Sequence, residues 1–284
     1  MAGPGWQYRF EHDPLSGAAS GTFSIGRRTL IALSDGFLVM SPTFLGTVER
    51  PTAGDEVLRS AYGQSLLPLG CFFLPGDENV LVDTGFGPVE HEGEIVGGRL
   101  LDNLAHHGVR LQDVHIVALT HLHADHVGWV GDATGRPVFP NAKFVLGHDD
   151  WEYFMSRDET LEPHIRESLR WLDQQGRLVL QDGEAVVAPG LTRLSAPGHT
   201  PGHSLFVVHD RRARMLLLGD ALYCPQQLSN VDWQAASDVD PVLARRSREA
   251  LLRDLDLHGG EAVGSHFPGL VAARGLANPE VLRD

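Results

Sequence analysis

Apolar positions along this 284-residue chain gather in short runs, most of which close on Gly, Asp or His. They are "TLIALSDGFLVM", "LGCFFLPG", "NVLVDTG", "VHIVALTH", "KFVLGH", "LTRLSAPGH", "SLFVVHD", "RMLLLGD" and "EAVGSH". Their length and β-branched content read as strands. Three stretches between them carry a helical period. "GGRLLDNLAHHG" places Leu100, Leu101 and Leu104 ahead of a stop at Gly108, and "EPHIRESLRWLDQQG" places Ile165, Leu169 and Leu172 on one face and ends at Gly176. "DPVLARRSREALLRDLDLHGG" sets Val242, Leu243, Leu251, Leu252 and Leu255 on a long amphipathic helix, with Asp240 as N-cap and Pro241 in the first turn.

Strands first, then strands mixed with helices, predict a layered α/β fold with sheets at its centre. No Pro/Gly/Ser linker and no internal repeat divides the chain, so one domain over residues 1–284 is expected. Residues 34–70 read as loop-rich, and a loop segment of that length is a candidate cover over a substrate site.

Composition narrows the classes. The chain is 42% hydrophobic, enough for a sizeable core. Lys plus Arg number 23 against 37 Asp plus Glu, a formal charge of −14, which argues against nucleic acid as a partner. No apolar run approaches the ~20 residues of a membrane span. The first residues lack the basic-then-apolar pattern of a secretory leader. Cys71 and Cys224 stand alone and are expected as buried thiols, and together these features predict a cytoplasmic protein.

The chemistry is concentrated in "THLHADHVGW", where His121, His123, Asp125 and His126 fall within six positions at the end of an apolar run. His121 and His123, two apart, project to the same side of an extended backbone. Asp125 and His126 follow where the chain must turn, so the stretch offers two ligand groups. Nitrogen and oxygen donors without thiolate suit zinc, iron or manganese. Three more candidates stand at strand ends: His199 in "SAPGHTPGHS", Asp220 in "MLLLGDALY" and His266 in "EAVGSHFPG". A carboxylate such as Asp220 can bridge two metals ~3.5–4 Å apart.

These seven residues, in this order, resemble the metallo-β-lactamase superfamily, whose HxHxDH signature is His121-x-His123-x-Asp125-His126. The resemblance runs from about Thr29 to about Arg274, and "NVLVDTGFG" is similar to an early strand–turn element of the family, with Asp83 as the aspartate behind the ligands. It implies a four-layer αβ/βα sandwich with metals at the sheet edge. It also implies that His121, His123 and His199 hold one metal, that Asp125, His126 and His266 hold the other, and that Asp220 bridges. The implied cofactor is two divalent ions, zinc foremost, with iron, manganese or cobalt as alternatives. His203, four residues beyond His199, is expected to be no ligand.

Substrate class rests on finer features. Tyr223, three residues after Asp220 in "GDALY", resembles a tyrosine of the quorum-quenching lactonases that touches the substrate carbonyl; a phenol there could hydrogen-bond an oxyanion, or simply pack under a loop. "HVGWVGDATGRPVFPNAKFVLGHDDWEYF", "SDVDPVLARRSREALL" and "SHFPG" resemble the branch with methyl parathion hydrolase-like and lactonase-like proteins. Trp129, where the family commonly has glycine, predicts an apolar wall near the metals. Phe44, Leu45, Phe72, Phe73, Trp151 and Trp233 are further candidates for an apolar pocket. The absence of a basic patch counts against a nuclease and against a glutathione-thioester hydrolase.

The resemblance thus implies a dinuclear metal hydrolase in which hydroxide held between the metals attacks the carbonyl of a lactone or carboxylic ester, with phosphotriesters as a side reaction. Asp125, Asp220 and Tyr223 are the candidate catalytic residues. The expected partner is a small molecule with an apolar part, with neither nucleic acid nor membrane, and a homodimer stays open. The alternatives are an iron-dependent oxidoreductase like the persulfide dioxygenases, a thioester or β-lactam hydrolase, and a catalytically silent binding protein.

Overall fold

Side-chain alternation along the strands sorts the chain into four layers. The structure, a computed structural model, describes residues 11–12, 19–59, 65–91, 94–157 and 160–274. The N-terminal stretch read for a leader lies largely outside these residues. The first sheet runs, in spatial order, through β1 (Ala19–Ile25), β2 (Arg28–Met40), β3 (Ser65–Leu74), β4 (Val80–Val82), β5 (Ile116–Ala118), β6 (Lys143–Gly147) and β7 (Leu178–Gln181). It is antiparallel from β1 to β4 and parallel from β4 to β7. The second sheet orders β8 (Ala185–Ala188), β9 (Leu191–Ser195), β10 (Ser204–Asp210), β11 (Ala213–Leu217), β12 (Glu261–Val263) and β13 (Ala273–Arg274), with β11 and β12 parallel.

Parallel neighbours need crossovers, and helices supply them. Besides one turn at Asp55–Leu58, the described α-helices are α1 (Leu100–His106), α2 (Ala124–Val127), α3 (His148–Met155), α4 (Pro163–Gln174) and α5 (Pro241–His258). Leu33, Cys71, Phe73, Leu81, Val117 and Phe144 face outward from the first sheet onto Leu100 and Leu104 of α1, Phe154 of α3 and Ile165, Leu169 and Leu172 of α4. Their strand neighbours Ala32, Phe72, Leu74, Val80, Val82, Ile116 and Val145 turn inward and meet Leu191, Phe206, Val208, Met215 and Leu217 of the second sheet. Leu205, Val207, Leu216 and Ala262 point the other way, onto Leu251, Leu252 and Leu255 of α5. The layers are therefore helix, sheet, sheet, helix, the sandwich that the resemblance implied. Each fully buried Leu or Phe in this arrangement contributes ~1.5–3 kcal/mol.

Helix α5 begins as its sequence requires. The Asp240 carboxylate accepts the Leu243 N–H at 2.9 Å, Pro241 opens the first turn, and Gly259 ends the helix at φ 67°. Val242, expected on the apolar face, is exposed. Cys71 and Cys224 are buried free thiols. No helix among the described residues is long and apolar enough to cross a membrane.

The segment 34–70 departs from its loop-rich reading. It is strand as far as Met40 and again from Ser65, and Leu45–Gly46 pairs with Gln234–Ala235. The polar break Ser34–Asp35–Gly36 is a register shift inside β2, not an end of it. Gly36 sits at φ 151° with the Val96 carbonyl where a Cβ would lie, so only glycine fits. Asp35 is buried there. Its carboxylate accepts the backbone N–H groups of Phe86, Gly87, Gly98 and Leu100 and the Trp129 indole N–H. Further elements escaped the pattern, among them β1, β7, β8 and α3. The strand β1 is short and rich in small polar residues, and "HDDWEYFM" of α3 buries only Asp150 and Phe154.

Candidate metal centre

The site is assembled from strand ends. β4 runs into Asp83, β5 into Thr120 and His121, β9 into His199, β11 into Asp220 and β12 into His266. Because β4 pairs in parallel with β5, and β11 with β12, their carboxyl ends emerge side by side. Asp83 turns the chain at φ 59°, a conformation that Asp tolerates better than most side chains. Gly219, at φ 50°, has His203 Nε2 and Thr120 Cβ at 2.8 Å from where a Cβ would be. That close approach lets Asp220 reach the centre.

The seven candidate ligands come together in two groups: His121, His123, His199 and Asp220, and Asp125, His126, Asp220 and His266. In the first, His121 Nε2, His123 Nδ1 and His199 Nε2 lie 2.8–3.2 Å from one another. The extended backbone between His121 and His123 sends both imidazoles to this side and Leu122 into the core. Asp125 and His126 sit on the single turn of α2 and reach the second group. There His126 Nε2 and His266 Nε2 are 3.0 and 3.1 Å from Asp220 Oδ1. Asp220 Oδ2 faces the first group, 3.4 Å from His199 Nε2 and 3.9 Å from His121 Nε2. One carboxylate thus presents a separate oxygen to each group.

Two buried atoms at the centre, His126 Nε2 and Asp220 Oδ1, have no hydrogen-bond partner. Buried polar atoms left unpaired are costly, and a metal ion that displaces the imidazole proton would satisfy both, so the residues present fit a metal pair. The opposite nitrogens are anchored. His126 Nδ1 is 2.8 Å from Asp83 Oδ2, His266 Nδ1 is 2.8 Å from the Pro68 carbonyl, and His121 Nδ1 is 3.0 Å from Thr120 Oγ1. Asp83 also accepts the Thr120 N–H at 2.8 Å. His203 belongs to neither group; its Nε2 accepts the Asp220 N–H at 3.1 Å.

Protonation divides the groups. Burial and the neighbouring imidazoles push His121 well below the usual histidine value and His123 down to about 4, so both are neutral donors. In the second group burial works against charge, but Asp220, Asp125 and Asp83 raise His126 well above its usual value, and Asp220 and Asp125 raise His266 to about 10. Burial would raise Asp125 and Asp220, yet the imidazoles outweigh it: Asp125 is held at about 2 and Asp220 well below the usual carboxylate value.

A cavity of about 200 Å³ opens onto the centre, lined by Leu38, Met40, Phe44, Leu67, His123, Asp125, Asp220, Tyr223, Ser237 and His266. Tyr223 stacks on His266 with centroids 5.1 Å apart, and Phe44 meets its edge at 5.0 Å. Its hydroxyl donates to Asp220 Oδ2 at 2.8 Å and shares a hydrogen with Ser237 Oγ at 3.1 Å. Of the proposed apolar lining, only Phe44 is there. Phe72 and Phe73 alternate into the two core layers, and Trp151 packs against the helical layer. Leu45 and Trp233 pack in the cluster that holds Tyr223. Trp129 is no wall for the centre; its indole is drawn to Asp35, 2.9 Å away. The actual wall is Leu38 and Met40, from the run read as strand but also counted in the loop-rich segment, and Leu67, which was read only as loop.

Asp150 was also missed. It is buried between two ligand loops, accepting the Leu122 N–H at 3.2 Å, Thr200 Oγ1 at 2.9 Å and the Gly202 N–H at 2.6 Å. Burial raises its carboxyl to about 6 despite these donors.

Residues 71–266 match the family described as the Metallo-beta-lactamase superfamily, and the chain belongs to it. Among its relatives, the N-acyl homoserine lactonase AiiA of Bacillus thuringiensis subsp. kurstaki is 29% identical over 203 residues, 65% of this chain and 75% of that protein. Metallo-beta-lactamase domain-containing protein 1 of Mus musculus is 33% identical over 181 residues, 63% of this chain and 56% of that one. In fold, the chain is similar to AidC, a dizinc quorum-quenching lactonase solved with a product bound, at TM-score 0.78 and 23% identity, covering 96% of this chain and 100% of that chain.

Proposed function

We propose that the protein is a dinuclear metal-dependent hydrolase acting on a lactone or carboxylic ester with an apolar part. The observation that carries the reading is Asp220, whose two oxygens face two separate histidine-bearing groups. His121, His123 and His199 would hold one divalent ion, Asp125, His126 and His266 the other, and Asp220 both. Zinc suits this donor set, as do iron, manganese and cobalt. When bound, two such ions would supply hydroxide near neutral pH and stabilise charge that develops on a carbonyl oxygen.

The chain's own groups supply the rest. Leu38, Met40, Phe44 and Leu67 exclude water from one side of the cavity and accept an alkyl or aryl substituent. Tyr223 has its hydroxyl at the cavity wall, where it can donate to a carbonyl oxygen as that oxygen gains charge. Ester cleavage must also return a proton to the departing alkoxide. Asp125 and Asp220 are the carboxylates in the described lining; Asp220 is engaged by both groups, which leaves Asp125 to carry that proton. The named lactonase relatives make N-acyl homoserine lactones the first substrates to try.

The test is elemental analysis of the purified protein with a panel of lactones, aryl esters and phosphotriesters. About two ions per chain are expected, with lactone turnover abolished by chelator, restored by zinc or cobalt, and exceeding any phosphotriester side activity. Full activity at one ion per chain, or no lactone turnover by the loaded protein, overturns the reading.

A further inference from the structure

His121, His126, His199 and His266 each have a partner behind the ring, but the partners are unequal. His121 and His266 face neutral oxygens, those of Thr120 and Pro68, whereas His126 of the second group faces the carboxylate of Asp83. His199 gives the first group a matching case. Its Nδ1 lies 3.1 Å from Asp238 Oδ1, with both side chains buried. Asp238 Oδ2 in turn is 3.3 Å from Arg248 Nη1. Arg248 projects from α5, is itself 1% exposed, and donates Nε–H to the Val231 carbonyl at 3.1 Å. A guanidinium, a carboxylate and an imidazole therefore stand in line from α5 to the centre.

We infer that Asp238, held by Arg248, is a positioning residue that fixes His199 as a donor to the first metal. The physical reason is tautomeric. A carboxylate on Nδ1 keeps the imidazole hydrogen there and leaves the Nε2 lone pair facing His121 and His123. A charged acceptor also orients that lone pair toward the centre, and removal of such outer partners typically weakens metal binding about 10- to 100-fold. A carboxylate buried alone would be expensive, and the guanidinium offsets that cost. The same corner is also fastened through backbone: Val239 N–H and Asp240 N–H donate to His199 and Gly198 carbonyls at 3.0 and 2.9 Å, and Ser247 Oγ donates to the Pro197 carbonyl at 2.6 Å. These bonds hold the loop but do not touch the ring.

The inference rests on the two-metal reading of the site. It is tested by titrating metal-free protein with Co²⁺ against a competing chelator and recording the visible spectrum, for wild type, Asp238→Asn, Arg248→Met and Ser247→Ala. His199→Ala serves as the reference that marks which binding step belongs to the first group. Wild type is expected to show two steps. In Asp238→Asn the step that His199→Ala abolishes should weaken about 10- to 100-fold, with an altered cobalt band, and the other step should stand unchanged. Arg248→Met should weaken the same step. If that variant does not fold, as judged by circular dichroism, the isosteric Asp238→Asn decides alone. Ser247→Ala, which loosens the loop only, should bind both ions as wild type does. Unchanged affinity in Asp238→Asn, equal weakening of both steps, or an equal loss in Ser247→Ala overturns the inference. A single step in wild type instead overturns the two-metal reading beneath it.

Discussion

Asp220 is where charge and geometry meet. Its Oδ1 faces His126 and His266, its Oδ2 faces His199 and receives the Tyr223 hydroxyl, and Gly219 before it has no room for a side chain. Asparagine at 220 keeps the size and loses the charge, so Asp220→Asn should retain the fold and lose metal and most turnover. Circular dichroism beside metal analysis and kinetics checks this, and wild-type turnover with two bound ions would refute it. Tyr223→Phe is the milder case. The ring still stacks on His266 while the donor disappears. Loss of a sole oxyanion donor costs ~10²–10³ in rate, but here metals share the task, so a drop of about tenfold in kcat is expected with metal content intact. KM should move less, because the bond strengthens only along the reaction. Unchanged lactone kinetics would make Tyr223 a packing residue.

Among elements, α5 and the ends of β2 and β3 build the surroundings of the centre rather than its ligands. α5 covers the second sheet with Leu251, Leu252 and Leu255, and its N-terminal corner abuts the His199 loop. Asp240→Ala removes the cap on Leu243 and should cost about 1 kcal/mol, read as a shift in denaturant midpoint without a change in slope. The contrast between α5 and β2 shows what the pattern could reveal. The helix was legible because period, cap and stop agree along consecutive residues. The signature loop was legible for a similar reason: His121, His123, Asp125 and His126 are local, and no core needs such a cluster. The cavity wall was not, because Met40 and Leu67 become a wall only when distant strands pair across a bulge, which nothing in the apolar run around Asp35 announced. Asp150 and Asp238 were hidden similarly. Each is an acidic residue near a helix start, and its role comes from loops far along the chain.

For the whole molecule, metal and protons compete for the same nitrogens. His266 is raised to about 10 and His126 also lies well above its usual value, so the metal-free protein at pH 7 carries both as cations. Loading should release about two protons per chain, measurable by calorimetry in buffers of different ionisation enthalpy. Metal uptake without proton release would contradict these shifts. Stability follows in sign. A histidine raised on folding contributes fully below its unfolded value of about 6.5, and that contribution is lost as pH climbs through its folded value. The Tm of the metal-free protein should therefore fall between about pH 6.5 and 10, while the loaded protein, whose imidazoles are already deprotonated, lacks this decline.

Each ligand group draws from both sheets, His121 to His126 from the first and His199, Asp220 and His266 from the second. Two ions bound there would act as rivets at one edge of a seam held elsewhere mainly by apolar contact between Phe72, Val82, Phe206 and Leu217 and their neighbours, with the Arg27–Asp210 ion pair joining the sheets away from the centre. Pulling the rivets leaves that contact whole but frees the edge to gape. Amide exchange should accelerate in chelator at Thr120, Leu218 and Ser265 and stay slow along the middle of β3 and β10. With metal bound as proposed, the stiffness of this edge would be set by metal supply, and the seam would open first beside the cavity.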